Sequence, residues 1–244
     1  MKKTLCLFII LAILLAFSAC SEKTEQENDI SEEVVSENEE VFDPKEYNYT
    51  EKDAQNLIQW NLDIIYKGAI PDEGAATFGL TEEDVENFHI NEILRESENL
   101  VTLVGAEKYY EDIHERCFII IENTYKKANY TVGEAFKTSE KSFNVELEIV
   151  PFLWMDYVKT HLSDFFEKLY QEYPEMAFED VPEEEYEKYE KILSDEILKL
   201  FEEASEKAEY GEPETIIVEV VQLEDGTWDM TEESFNYMIS EILK

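Results

Sequence analysis

Few residues in this chain have the types and spacing that could do chemistry, and each grouping is incomplete. His114 and Cys117 stand three apart in a helix-like segment, so imidazole and thiol share a face. They suit zinc, but a zinc site takes three or four ligands. The other histidines, His89 and His161, lie far off without ligand spacing. Cys117 is followed by Phe118-Ile119-Ile120-Ile121, where a thiol serves as a small apolar core group. His161 sits on an apolar stripe, where a hydrogen-bonded core histidine is the simpler role. No Gly-x-Ser-x-Gly elbow accompanies it. Glu183-Glu184-Glu185 and the acidic face running to Glu190 could collect calcium, yet no segment alternates acids around a central glycine as an EF-hand loop does. They read as a solvated helix face. A carboxylate pair for glycoside hydrolysis has no identifiable members among 59 acids. Trp154, Tyr157, Phe165, Trp228 and Tyr130 could line an apolar pocket, although each also suits a core position. The residues predict no catalytic set, no metal site and no cofactor.

Composition sets the frame for these groups. Of 244 residues, 44% are hydrophobic, including 14 Phe, 14 Tyr and 3 Trp, enough for a packed core. Acids outnumber bases 59 to 20, for a formal net charge of -39. Nucleic acid is excluded as a partner, because phosphate neutralisation needs clustered Lys and Arg, and only Arg95 and Arg116 are arginines. The acidity reads chiefly as a solvated surface.

The elements that must position these residues follow from periodicity. Thr50-Glu51-Lys52-Asp53 and Thr81-Glu82-Glu83-Asp84 have the form of capping boxes, each opening an amphipathic helix. The first carries Ala54, Leu57, Ile58, Leu62 and Ile65 at helical spacing and stops at Gly68. The second is expected to run to about Leu94, with Ala69 to Leu80 between them a loop. A third helix is expected from about Ala106 to Lys127. The period then shortens to two. Asn129 to Lys137 and Ser142 to Val150 read as paired strands, with Phe143, Val145, Leu147 and Ile149 alternating against polar residues, as in a sheet with one wet face. Two strong helices follow, one striped by Trp154, Tyr157, Val158, His161, Leu162, Phe165 and Leu169. The other is striped by Tyr186, Tyr189, Leu193, Ile197, Leu200, Phe201 and Ala204. Thr215 to Leu223 and Trp228 to Met230 close the sheet around Asp225-Gly226. Thr231 then caps a last helix. The class is α+β, a small antiparallel sheet packed on helices with a two-helix insertion at about 153–208.

The amino-terminal segment carries a different message. Lys2 and Lys3 precede an apolar run from Leu5 to Phe17, shorter than the ~20 residues that span a bilayer. Small residues then lead into a cysteine. Phe17-Ser18-Ala19-Cys20 resembles the lipobox of bacterial lipoproteins, departing only in Phe17, where Leu is usual. That resemblance implies a signal peptide over 1–19, a lipid on Cys20 and a mature chain held by acyl chains. Cys6 would leave with the signal, so no intramolecular disulfide is expected in the mature chain. Residues 20–48 are acidic, poor in apolar residues and without period, and read as a disordered tether before a single domain over 49–244.

The order of elements, with Val218-Glu219-Val220-Val221-Gln222-Leu223-Glu224-Asp225-Gly226-Thr227-Trp228 before a terminal helix, resembles domains of unknown function in lipoproteins of low-GC Gram-positive bacteria. Those domains are similar to the cystatin-like or nuclear-transport-factor-2-like class, a curved sheet wrapped on helices. The resemblance brings no activity with it. The expected function is therefore a lipid-anchored, extracytoplasmic, non-catalytic module that binds a protein or small ligand. The alternative is an enzyme of the nuclear-transport-factor-2-like type with a pocket acid or base. An ABC-transporter solute-binding protein is disfavoured, since two lobes of alternating strand and helix are not visible.

Overall fold

A computed structural model describes residues 48–106, 108, 110–177 and 185–244. The proposed lipid site Cys20, the signal segment, all but the last residue of the tether, and Glu183 and Glu184 lie outside the described residues.

Capping chemistry starts the chain of elements as the sequence predicts. In α1 (Glu51–Lys67), the Thr50 hydroxyl accepts from the Asp53 N–H at 3.3 Å, and the Thr50 N–H donates to the Asp53 carboxylate at 2.8 Å. Gly68 closes the helix with φ +60°, and a Cβ there would meet His89 Cδ2 at 2.8 Å. Backbone freedom and close approach both require glycine. Residues expected to form a loop instead contain a short helix, α2 (Asp72–Phe78). Its cause is Trp60, which α1 turns away from the sheet. Gly74 comes so close that a Cβ would lie 2.8 Å from the indole, and Phe78 meets the ring edge-on at 5.8 Å.

A second capping box, Thr81 with Asp84, opens α3 (Glu82–Leu103). This helix outruns the expected end at Leu94. Leu100 and Val101 continue its buried stripe, and Ser97 bridges the gap by donating to the Ile93 carbonyl at 2.5 Å. It turns at Val104 and Gly105, the latter at φ +68°. Next, α4 (Tyr110–Tyr125) buries Ile113, Cys117, Ile120 and Ile121.

The sheet comprises β1 (Tyr130–Ser139), β2 (Ser142–Ile149), β3 (Glu214–Gln222) and β4 (Trp228–Met230). It runs in the order β1-β2-β3-β4, with every pair antiparallel. Phe143 pairs with Val220, Val145 with Val218 and Leu147 with Ile216, so one face presents a continuous apolar layer. A bulge interrupts β1 between Val132 and Ala135, where the Gln55 amide donates to the Gly133 carbonyl at 2.5 Å.

Between β2 and β3 the chain leaves the sheet for α5 (Trp154–Glu172), a 3₁₀ turn (Pro174–Ala177) and α6 (Tyr186–Lys207). The base of this excursion is stitched by the Leu153 N–H to the Glu209 carbonyl and the Gly211 N–H to the Pro151 carbonyl, at 3.0 and 2.8 Å. Finally α7 (Glu232–Ile242), capped by Thr231, returns along β3, and the Glu219 N–H donates to the Ser234 hydroxyl at 3.1 Å. That bond covers the part of the β3 edge that the short β4 leaves open. The fold is α+β, its helices sharing one core with the inner face of an open sheet.

Candidate functional site

Cys117, His89 and His161 each take part in packing or a hydrogen bond of the fold. Cys117 is fully buried, and burial pushes its thiol from the ordinary 9.0 up to about 11, so it is protonated at neutral pH. A protonated, enclosed thiol is neither a nucleophile nor a ready metal ligand. Among the described residues no three His, Cys, Asp or Glu side chains group as metal ligands would. His89 Nδ1 donates to the Ile65 carbonyl at 2.7 Å and seats its ring over Gly68. It thereby joins α3 to the end of α1.

His161 Nδ1 donates to the Tyr157 carbonyl at 2.8 Å, one turn back on α5, and stacks on the Tyr157 ring at 4.0 Å. Burial, followed by a hydrogen bond to Glu203, raises the Tyr157 phenol, and Glu203 is also paired with Lys207 at 2.5 Å. This Tyr157–His161–Glu203–Lys207 group links α5 to α6 on a partly exposed face.

The five aromatic candidates fall in three places. Tyr130 opposes Ile149 at the outer edge of β1, where its hydroxyl donates to Asp63 at 2.8 Å. Trp228 opposes Gln222 on the other edge strand, at the far end of the sheet, stacked on Tyr49 at 4.3 Å and 6°. By strand rise and spacing these corners are on the order of 25 Å apart. Trp154, Tyr157 and Phe165 lie on α5, where Trp154 packs edge-on against Phe201 of α6 at 5.7 Å. The structure does not bring the five together around one cavity.

Two other features emerge. The first is an open groove of about 420 Å³ lined by Arg116, Tyr173, Ile192, Asp195, Glu196, Lys199 and Glu202. Arg116 of α4 donates to Glu202 at 2.8 Å and Asp195 at 3.0 Å, both on α6, and Lys199 pairs with Glu196. Its charges are satisfied internally, so an ionic ligand would have to displace existing pairs.

The second is the outer face of the sheet. Glu148 stands between Thr131 and Thr215, Glu146 beside Ile217, and Asn144 between Phe136 and Glu219. Val221 and Asp229 continue the face onto β4. Phe136 and Ile217 are 46% and 49% exposed, so the described residues leave this face uncovered.

Neither feature was singled out from the sequence. The groove joins α4 to residues some 80 positions later, as the Arg116–Asp195 separation of 79 shows. The sheet face did leave a trace. In Thr215-Ile216-Ile217-Val218-Glu219, Ile217 is an apolar residue at a position the alternation assigns to water.

No protein-family model matches the sequence, and no curated protein matches it. Among the described residues no helix is long and apolar enough to cross a membrane. Among solved structures the chain resembles one from Bacillus subtilis subsp. subtilis str. 168, described as "a putative lipoprotein (ycdA)", at 15% identity and a TM-score of 0.42. The alignment covers 79% of this chain and 58% of that one, and a TM-score at this level does not establish a shared fold.

Proposed function

We propose that this chain is a lipid-anchored protein of the extracytoplasmic membrane face whose folded part is a non-catalytic module binding a protein partner. The lipobox-like Phe17-Ser18-Ala19-Cys20 supports the anchor, and the acidic segment after it supplies a tether. The observation carrying the binding role is the uncovered sheet face, where Phe136 and Ile217 stand exposed among carboxylates. Phe136, Ile217 and Val221 share this one face, and it is apolar side chains gathered on a face, rather than standing singly, that mark a contact surface.

An enzyme of the nuclear-transport-factor-2-like type is the less supported reading. It would draw on Tyr157, His161 and Glu203, which already engage one another between α5 and α6.

Two measurements test the proposal. Cys20→Ala should release the protein into the medium, and retention at the membrane overturns the anchor. A benzophenone side chain at position 217, irradiated on living cells, should give covalent adducts that the same group at position 167 on α5 does not. Equal yields at both positions overturn the sheet face as the binding surface.

A further inference from the structure

Resting on that binding role, we infer that the outer sheet face receives an extended polypeptide segment whose sheet-facing residues, every second position, alternate between lysine or arginine and aliphatic side chains. Charge complementarity carries the argument. The outward positions set by strand register are Thr131, Phe136 and Ser139 on β1, Ser142, Asn144, Glu146 and Glu148 on β2, Thr215, Ile217, Glu219 and Val221 on β3, and Asp229 on β4, with Gly133 of the β1 bulge close beside Glu146. Four are carboxylates and none is basic. Glu134, in the β1 bulge, adds a fifth acid at the rim. Among the described residues Glu134, Glu146, Glu148 and Glu219 form no ion pair, whereas helix acids such as Asp63, Glu92, Glu122, Glu202 and Glu203 each face a lysine or arginine. The face therefore presents unneutralised charge together with desolvatable surface.

Its dimensions fix the kind of occupant. Eight residues of strand by three strand spacings give a face of roughly 25 Å by 15 Å, on the order of 400 Å². A standard interface buries about 800 Å² per partner, so this area suits one segment rather than a folded surface. A second copy is disfavoured by sign, because self-association would set carboxylates against carboxylates. The small side chains of Thr131, Gly133, Ser142 and Asn144 keep the surface shallow, with Ile217 beside Glu146 and Phe136 in the row of Glu219. An extended chain repeats its same-side residues every ~7 Å, the spacing at which these rows recur. Cationic heads would meet Glu146, Glu148 and Glu219, while aliphatic residues cover Ile217 and Phe136.

The test titrates three synthetic heptapeptides into the full chain in non-ionic micelles, with micelle blanks, by calorimetry. At their odd positions, which face the sheet, one alternates lysine with valine, one lysine with serine and one glutamate with valine, and all three carry serine at the even positions. The lysine–valine peptide should bind wild type, roughly tenfold more tightly than lysine–serine and with affinity that falls as salt rises. It should weaken about tenfold on Glu146→Gln/Glu148→Gln/Glu219→Gln and on Phe136→Ser/Ile217→Ser. These positions are at the surface, and circular dichroism checks that both variants fold. Failure of lysine–valine to bind, equal affinity for the variants, or equal binding of lysine–serine overturns the inference. So does concentration-dependent dimerisation that Phe136→Ser/Ile217→Ser abolishes, which would assign the face to a second copy. Adducts at position 217 without lysine–valine binding would keep the binding role and discard this partner chemistry.

Discussion

Tyr66 shows how much one atom can matter in this core. Its side chain is 3% exposed, its ring meets Tyr125 at 5.1 Å and Tyr130 at 5.9 Å, and its hydroxyl has no hydrogen-bond partner among the described residues. An unsatisfied buried hydroxyl costs about 1–3 kcal/mol. Tyr66→Phe keeps the ring packing and removes the penalty, so it should raise stability by about 1 kcal/mol in urea titration. A loss of stability would mean that the hydroxyl is satisfied after all. Cys117 gives a second prediction, in pH. Its thiol is raised from 9.0 to about 11 by burial, so the folded state holds a proton that the unfolded chain releases first. The resulting stability is complete below pH 9 and is lost as pH climbs towards 11. Tyr66, Tyr125 and Tyr130, also raised by burial, extend the loss upward from their ordinary value of 10.0. Stability should fall between pH 9 and 11, and Cys117→Ala should flatten the onset between 9 and 10 once its baseline loss is subtracted. An unchanged onset would show that the thiol does not titrate with unfolding.

At the scale of elements, what the sequence disclosed was whatever local chemistry decides. Thr50, Thr81 and Thr231 start helices through bonds to residues three positions on, and Gly68 ends one through its own φ. The strands announced themselves by alternation around Phe143 and Val218. What stayed hidden depends on partners distant in sequence. Helix α2 forms because Trp60 needs cover, and α3 continues because its stripe still meets core at Leu100. The groove and the bare face are likewise products of assembly, and no spacing in the chain announces Arg116 beside Glu202. That pair offers a test of how α4 is tied to α6. Arg116 is 31% exposed, with Asp195 and Glu202 at 38% and 41%, so water screens the bonds. Arg116→Ala should cost about 1 kcal/mol at low salt, the upper range for such pairs, and the difference from wild type should shrink by half or more in ~0.5 M NaCl. A gap that persists in salt would assign the effect to packing of the arginine stem.

Salt should act with the opposite sign on the molecule as a whole. A formal charge of -39 on 244 residues makes repulsion between like charges the prevailing long-range force. Attractive pairs such as Arg116–Glu202 are few, because 20 basic residues cannot match 59 acids. Raising NaCl shortens the screening length from about 30 Å at 0.01 M to about 8 Å at 0.15 M. Repulsion acting across tens of ångströms is then removed, while contacts near 3 Å are only weakened. The melting temperature should therefore rise by several degrees over that range, equivalent to roughly 1–2 kcal/mol for a domain of this size. The response also distinguishes an ion atmosphere from a bound ion. If the acidity is a solvated surface, calcium and magnesium chloride at equal ionic strength should stabilise the protein alike, in a graded way. A calcium-specific rise saturating at micromolar concentration would instead demand a built oxygen cage, and the acidic surface would then be a binding site rather than a field.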